Sequence, residues 1–168
     1  NLVNEFSDFA RMPKPLLKKN NLYGVINDNI NLLSKINDNI EIKLINHLSK
    51  DIYTKFDYEQ FNRLFFNLIK NSIESIQEKA QKDSKIDKNI DIEIRGRRDY
   101  IIVNLFDTGT GFKNKNTKDL IKPYFTTKDK GTGLGLSIVD KIVSDHNGSI
   151  NFINQKNGAK IQIIIPNK

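Results

Sequence analysis

The stretches DTGTGF (107–112) and GTGLGLS (131–137) together hold five of the nine glycines of this 168-residue chain. Glycine that served only in turns would be spread more evenly along the sequence. Two separate clusters therefore predict two places where the backbone closely approaches a ligand or takes a positive φ.

The first cluster directly follows a predicted strand at 100–107. A carboxylate at a strand end, here Asp107, can accept a hydrogen bond from an exocyclic amine. Gly109 and Gly111 leave room beside it for a flat ring. A D-x-G-x-G tract taken alone is also compatible with an ordinary turn.

The second cluster opens a predicted helix over 134–146. Unobstructed N–H groups at a helix N-terminus form a phosphate site. The spacing G-x-G-x-G matches neither the dinucleotide fingerprint nor the Walker A pattern. The sequence thus indicates a phosphate site of another kind.

A lysine-rich segment, KNKNTKDLIKPYFTTKDK (113–130), joins the two clusters. Because glycines lie on both sides of it, we interpret it as a mobile cover over an anion. The alternative is an ordinary solvated loop.

Asn67 and Asn71 lie four residues apart on the longest predicted helix, at the border of its apolar stripe. An amide oxygen there can bind a hydrated Mg²⁺, which takes few protein ligands. A purely structural amide remains the alternative. The residues of the stripe are Leu64, Phe65, Leu68, Ile69, Ser72, Ile73 and Ile76.

Hydrophobic periodicity predicts helices over 1–10, 20–36, 57–80 and 134–146, and strands at 40–45, 52–56, 89–96, 100–107, 149–154 and 159–165. We expect the strand at 52–56 to pair with the one at 40–45. The pattern predicts an α+β fold, a two-layer sandwich with a mixed sheet and helices on one face.

Composition excludes several classes of protein. The chain has no cysteine, which excludes disulfides, cysteine-based zinc sites and thiol catalysis. It has only two histidines, which excludes a histidine-rich metal site. The net charge of +7 suits an anionic partner, but 22 Lys, 22 Asn and 25 Ile are also what an AT-rich genome produces.

No membrane span or signal peptide is apparent. Since the first residue is not Met, we expect a piece of a longer protein.

Taken in order, NLIKN, DTGTGF, KPYFTTK and GTGLGLSIV resemble the N, G1, F and G2 boxes of sensor histidine kinases. The catalytic domain of that family has the Bergerat ATP-binding fold, a sandwich with a mostly antiparallel sheet shared with gyrase and other GHKL ATPases. The resemblance covers residues 20–166. The opening EFSDFARMPKP resembles the end of a dimerisation helix in NtrY/NtrB-type kinases, which implies a helix tail and linker at 1–15 and the ATP-binding domain at 16–168.

The resemblance implies ATP and Mg²⁺ as ligands and assigns roles to residues. Asn71 is expected to bind Mg²⁺ and Asn67 to support the phosphates. Asp107 is expected to bind the adenine amine in a pocket shaped by Gly109 and Gly111. The lid and phosphate positions are Phe125, Thr127, Lys128, Gly131, Thr132, Gly133, Leu134 and Gly135.

Two departures from the family pattern stand out. Glu74 occupies a position where many members have Lys or Arg, which shifts the expected phosphate contact to Lys128. The phosphoacceptor histidine is absent, because neither His47 nor His146 has the required sequence setting. Both are predicted to be structural, so no catalytic residue is assigned within the chain.

The resemblance implies transfer of the γ-phosphoryl of Mg-ATP to a histidine on an upstream domain, then to an aspartate of a response regulator. The full protein is expected to be a homodimer, with this chain a cytoplasmic part of a membrane-anchored bacterial kinase. The chain alone should bind ATP without autophosphorylation.

Three other functions are compatible with parts of the sequence. A GHKL-type ATPase clamp needs a glutamate one turn before the metal ligand, where this chain has Asn67, which cannot act as a base. A protein-serine kinase of the anti-sigma type shares the fold and is not excluded by the boxes alone, but the helix tail at 1–11 favours a histidine kinase. Nucleic acid is not expected as a partner, because the lysines are dispersed and the aromatic residues follow apolar positions.

Overall fold

The computed structural model describes residues 2–48, 52–113, 116–123 and 133–167. The elements are α1 (Leu2–Ala10), β1 (Lys18–Asn21), α2 (Leu22–Ser34), β2 (Glu41–Asn46), β3 (Tyr53–Phe56), α3 (Tyr58–Lys82), β4 (Asn89–Gly96), β5 (Tyr100–Asp107), a 3₁₀ helix (Thr117–Ile121), α4 (Gly135–Asp145), β6 (Ser149–Gln155) and β7 (Gly158–Pro166). Every predicted helix and strand is present with small differences at its ends. The strand β1 and the 3₁₀ helix were not predicted.

The main sheet has five strands in the order β2-β4-β5-β7-β6. The pair β2 and β4 is parallel, and the other neighbouring strands are antiparallel. Two hairpins, β4–β5 and β6–β7, supply four of the five strands. The predicted α+β sandwich with a mixed, mostly antiparallel sheet is confirmed.

One face of the sheet forms the core. Alternate residues of the three central strands are buried, as the two-residue period of a strand requires. These residues are Ile90, Ile92 and Ile94 of β4, Ile101, Val103 and Leu105 of β5, and Ile161, Ile163 and Ile165 of β7. The helices α2, α3 and α4 contribute the apolar side chains that pack against this face.

The long helix α3 spans 25 residues and buries the apolar stripe that the sequence predicted. It begins at the N-cap Asp57, whose Oδ1 accepts a hydrogen bond from the backbone N–H of Gln60 at 3.1 Å. This is the preferred use of aspartate at a helix N-terminus. Lys79 and Lys82 in the last turn match the sign of the helix dipole.

The expected pairing of the strand at 52–56 is wrong. This strand, β3, pairs with β1 in a separate two-stranded antiparallel sheet, and not with β2. The physical reason is that two further hydrogen bonds hold the ends of β3 beside β1. Asn20 Nδ2 donates to the carbonyl of Phe56, and the N–H of Leu22 donates to the carbonyl of Ile52, both at 2.8 Å. The strand β2 pairs instead with β4.

The segment between α1 and β1 is hydrogen-bonded to the first turn of α3. The backbone N–H of Leu16 donates to Asp57 Oδ2 at 2.8 Å, and Gln60 Nε2 donates to the carbonyl of Pro13 at 3.0 Å. Phe9 and Met12 are partly buried against the core. The start of the described chain is thus attached to the same helix that borders the sheet.

Within the described ranges, none of the helices combines the length and the apolar character that crossing a bilayer requires.

A glycine substitution tests this architecture. Gly158 has φ +141°, and a Cβ there would lie 1.8 Å from the carbonyl oxygen of Asp107. We expect Gly158→Ala to lower the free energy of unfolding by about 2 kcal/mol or more, measured by urea denaturation. Gly24→Ala is the matched control, because its Cβ would make only ordinary contacts, with the N-cap residue Asn21. It should raise the stability by about 0.5–1 kcal/mol. Equal stabilities of the two variants would contradict the described packing.

Candidate functional site

Asp107 is the last residue of β5, and its side chain is only 8% exposed. Its Oδ2 accepts a hydrogen bond from Ser72 Oγ at 2.8 Å, and its Oδ1 accepts one from the backbone N–H of Gly109 at 2.9 Å. Burial raises the pKa of this carboxyl, while the bonds from Ser72 and Gly109 act in the opposite direction. Each carboxylate oxygen accepts more than one hydrogen bond. Asp107 can therefore accept a further donor from a ligand.

The loop after Asp107 lies directly against α3. A Cβ on Gly109 would lie 2.2 Å from Ser75 Oγ and 2.9 Å from the backbone carbon of Ser75. The backbone N–H of Thr110 donates to Ser75 Oγ at 2.9 Å. Glycine is thus required at 109 for the approach of the loop to the helix, a reason the sequence analysis did not contain.

Gly111 has a positive φ of 72°, as the first glycine cluster predicted. The loop is held here by Asn154 of β6, whose side-chain amide binds both backbone groups of Phe112. Asn154 Oδ1 accepts from the N–H of Phe112 at 2.7 Å, and Asn154 Nδ2 donates to its carbonyl at 3.0 Å. No sequence pattern indicated Asn154, because it follows the glycine cluster by more than 40 residues.

Three polar residues of α3 hold the loop: Ser72, Ser75 and Lys79. Lys79 Nζ donates to the carbonyl of Thr108 at 3.0 Å, and its charge lowers the pKa of Asp107. The spacing of three and four residues puts all three side chains on one side of the helix. Their role was not predicted, although the spacing beside the apolar stripe is present in the sequence.

Asn67 and Asn71 are half-buried at the border of the stripe, where the sequence analysis placed them. Asn71 precedes Ser72, which binds Asp107. Asn71 also faces the start of α4, since a Cβ on Gly135 would lie 3.9 Å from Asn71 Nδ2. The helix α3 thus brings Asn71 beside both glycine clusters. Asn67 lies one turn before Asn71 on the same helix.

The N-terminus of α4 differs chemically from those of α2 and α3. Asn21 and Asp57 cap α2 and α3 with side-chain oxygens, whereas the N-cap of α4 is Leu134. Leu134 is fully buried and its side chain has no acceptor. Gly133 before it has a positive φ of 74°. The arrangement suits a helix that presents backbone N–H groups to an anion.

Part of the predicted cover is a folded turn. The 3₁₀ helix is capped by Asn116, whose Oδ1 accepts from the backbone N–H of Lys118 at 3.2 Å. Leu120 is buried, and the turn packs against α4. The predicted site residues Phe125, Thr127, Lys128, Gly131 and Thr132 lie outside the described residues.

Glu74, the departure from the family pattern, is half-buried three residues after Asn71. Its Oε1 lies 3.9 Å from Lys70 Nζ, four residues earlier on the helix. The carboxylate therefore has a basic partner on its own helix.

The two histidines lie at element ends, as predicted. His47 directly follows β2, and its Nε2 lies 3.8 Å from Glu93 Oε2. His146 is the C-cap of α4 and is buried.

Comparison with known proteins identifies the fold and its family. Residues 56–168 match the family described as histidine kinase-, DNA gyrase B-, and HSP90-like ATPase. The chain belongs to this family. The resemblance drawn from the four sequence boxes is thereby confirmed.

Its relatives within the family are sensor kinases. The nitrogen regulation protein NtrY of Azorhizobium caulinodans is 31% identical over 98% of this chain and 21% of its own length. A putative NtrY-like sensor histidine kinase of Rickettsia felis is 34% identical, covering 97% of this chain and 26% of that protein. The chain thus spans about a quarter or less of these relatives.

The structure is similar to the solved catalytic domain of the histidine kinase ThkA. The TM-score is 0.76 at 27% identity, covering 90% of this chain and 95% of that one. The prediction of a histidine kinase ATPase domain is confirmed at the level of the domain.

A second glycine pair tests the geometry of the loop. Gly109→Ala should lower the free energy of unfolding by about 1–3 kcal/mol, because its Cβ would overlap Ser75. Gly135→Ala is the control, since its Cβ would make only one ordinary contact, with Asn71. The control should change stability by less than about 0.5 kcal/mol in urea denaturation. A neutral Gly109→Ala would exclude the close approach of loop and helix.

Proposed function

We propose that this chain binds Mg-ATP and presents its γ-phosphoryl to a histidine on an upstream domain of the same protein. The observation that carries the proposal is the buried Asp107 carboxylate, held by Ser72 on the helix that also places Asn71 at the start of α4. One helix therefore joins a candidate base-recognition group to a candidate phosphate site.

Asp107 is proposed to accept a hydrogen bond from the exocyclic amine of adenine. Ser72 and Gly109 fix the carboxylate in place, and the amine supplies a further donor. Such a donor stabilises the ionised form, so its binding offsets part of the cost of burial. Gly109 and Gly111 keep side chains away from the ring.

Asn71 is proposed as the Mg²⁺ ligand, with Asn67 supporting the phosphates. Mg²⁺ keeps most of its waters and takes one or two protein ligands together with phosphate oxygens, so a single amide oxygen fits. The ion neutralises charge on the phosphates when bound. Backbone N–H groups at the start of α4 are proposed to bind the phosphates. The proposed lid and phosphate residues are Phe125, Thr127, Lys128, Gly131, Thr132, Gly133, Leu134 and Gly135.

The proposed reaction is an in-line displacement at the γ-phosphorus. A ring nitrogen of the acceptor histidine forms the new bond, the bond to the β,γ-bridging oxygen breaks, and ADP leaves. The histidine is proposed to pass the phosphoryl group to an aspartate of a response regulator. This chain supplies positioning and charge neutralisation, which is most of what phosphoryl transfer requires.

Transfer is favoured over hydrolysis by the chemistry of Asn67. A neutral amide cannot take a proton from water, so the turn before Asn71 supplies no general base. Two alternative functions remain to be distinguished from histidine phosphorylation by experiment: a GHKL-type ATPase and a protein-serine kinase.

The remaining proposals concern the whole protein. We infer that residues 1–15 are the tail of a dimerisation helix and its linker, and that 16–168 form the ATP-binding domain. The names of the NtrY-like relatives support a sensor kinase. We propose that the whole protein is a homodimer and that this domain lies in the cytoplasm beside a membrane-anchored part. No nucleic-acid partner is proposed.

The adenine assignment predicts the effect of Asp107→Asn. In asparagine an NH₂ group, which cannot accept a hydrogen bond, replaces one of the two carboxylate oxygens. The affinity for Mg-ADP, measured by calorimetry, should therefore fall by about a hundredfold or more. The fold should persist. Because burial raises the pKa of Asp107, the ionised carboxylate costs stability that grows as pH rises through that pKa. The unfolding temperature at neutral pH should therefore be equal or higher.

Asp91→Asn on the outer face of β4 is the matched control and should leave binding unchanged. Unchanged affinity of the Asp107 variant would remove the adenine assignment.

The proposed reaction predicts a requirement for the upstream domain. With radiolabelled ATP and Mg²⁺, the chain alone should acquire no label. Adding the upstream segment of the same protein should give an acid-labile phosphohistidine, and a His→Gln change at the acceptor should abolish it. Steady ATP hydrolysis by the chain alone would favour the ATPase, and acid-stable phosphoserine would favour the serine kinase.

A further inference from the structure

The helices α3 and α4 run antiparallel, and each end of the shorter helix α4 lies against α3. At one end Asn71 faces Gly135, the first residue of α4. At the other end the ring of His146, the C-cap of α4, lies against Phe61, with centroids 4.6 Å apart. The two contacts are separated by the length of α4, 11 residues or about 16 Å.

His146 joins the two helices through both of its ring nitrogens. Its Nε2 accepts a hydrogen bond from the backbone N–H of Asp57 at 3.0 Å, and its Nδ1 lies 2.7 Å from the carbonyl of Ile142. A backbone N–H only donates and a carbonyl only accepts. The ring must therefore be neutral, with its proton on Nδ1.

We propose that neutral His146 is a positioning residue for nucleotide binding, because it holds the carboxyl end of α4 on the first turn of α3. The amino end of α4 is then presented to Asn71. This inference rests on the proposed function, since it assumes that the start of α4 binds phosphates. It concerns a residue that touches neither nucleotide nor metal.

The amino end of α4 is held by packing, with the N-cap Leu134 buried, and it has no side-chain cap. The middle of α4 is buried in the core through Ile138, Val139 and Ile142. A rigid helix released at its carboxyl end tilts about that buried middle, so its amino end moves in the opposite direction. A small movement at His146 therefore displaces the first N–H groups of α4 relative to Asn71.

The surroundings of His146 favour the neutral ring. Burial lowers its pKa, and the bond to Ile142 and the charges of Asp57 and Asp145 only partly oppose this. Across the described ranges, those two carboxylates are the charged groups that act on the ring. Lys141 Nζ neutralises Asp145 from 3.1 Å, and the aromatic contact from α3 is apolar.

Protonation breaks the attachment of His146 to the first turn of α3, which we call the joint. A proton on Nε2 would point at the backbone N–H of Asp57, so two donors would face each other. Since the pKa of His146 is lowered in the folded chain, the joint is fully formed above the ordinary histidine pKa. It is lost as pH falls through the lowered pKa of the folded chain.

Reciprocity gives a test on the unmodified chain. If a neutral His146 favours nucleotide binding, bound nucleotide must favour the neutral ring by the same free energy. We expect Mg-ADP to lower the pKa of His146, followed by NMR of the two imidazoles. His47, the other histidine, is the internal control and should titrate identically with and without Mg-ADP. The spectra should also show the Nδ1–H tautomer of His146.

Calorimetry on His146→Gln gives a second measurement. Glutamine can keep an acceptor near Asp57 N–H but does not ionise. As pH falls from about 7.5 through the lowered pKa of His146, the unmodified chain should lose more affinity for Mg-ADP than the variant does. Comparing the two chains at each pH cancels the titration of ADP itself. His47→Gln should follow the unmodified chain.

The outcomes separate the inference from the proposed function. A pKa of His146 that is the same with and without bound Mg-ADP, or the opposite tautomer, would overturn the inference while leaving nucleotide binding intact. Should the unmodified chain fail to bind Mg-ADP at about pH 7.5, the proposed function fails, and the inference falls with it. The NMR measurement decides the matter even where the glutamine variant does not fold.

Discussion

The packing of α3 against the sheet is the contact on which the site depends. Its apolar stripe faces the strands, so the polar residues at the border of the stripe are held at the end of β5. Ser72 reaches Asp107 at 2.8 Å, and Ser75 receives the N–H of Thr110 at 2.9 Å. One helix positions these groups together with Asn71. A shift of α3 on the sheet would therefore disturb the recognition of both the base and the phosphates.

The energetics of Asp107 link this packing to binding. Taking a carboxylate out of water costs several kcal/mol when it lacks partners, and each charge-assisted hydrogen bond returns about 1.5–3 kcal/mol. Ser72 and Gly109 supply such bonds, and the neighbouring backbone of Ala159 and the charge of Lys79 contribute as well. The pKa is nevertheless raised, so compensation is incomplete without a ligand. A donor from a bound base completes it.

The sequence predicted the parts of this arrangement that depend on local pattern. The glycine clusters, the border positions of Asn67 and Asn71, and Asp107 at a strand end all follow from composition and periodicity. The strand β1 was missed because its sequence, KKNN, shows no apolar alternation. The partner of β3 was wrong because Asn20 and Leu22, in and beside a strand that was not predicted, bind the two ends of β3. Asn154 was invisible because its role exists only after β6 folds beside the loop.

The two ends of α4 are held in opposite ways, which explains why its sequence carries glycines at one end and His-Asn-Gly at the other. An N-cap side chain contributes about 1 kcal/mol, and α4 lacks one. At its carboxyl end Asn147 takes φ 58°, and the N–H of Gly148 donates to the carbonyl of Val143 at 2.9 Å, the geometry of a Schellman motif. His146 adds the bond to α3. Stabilisation placed at the carboxyl end leaves the first N–H groups available to an anion, so the helix is anchored where it does not bind.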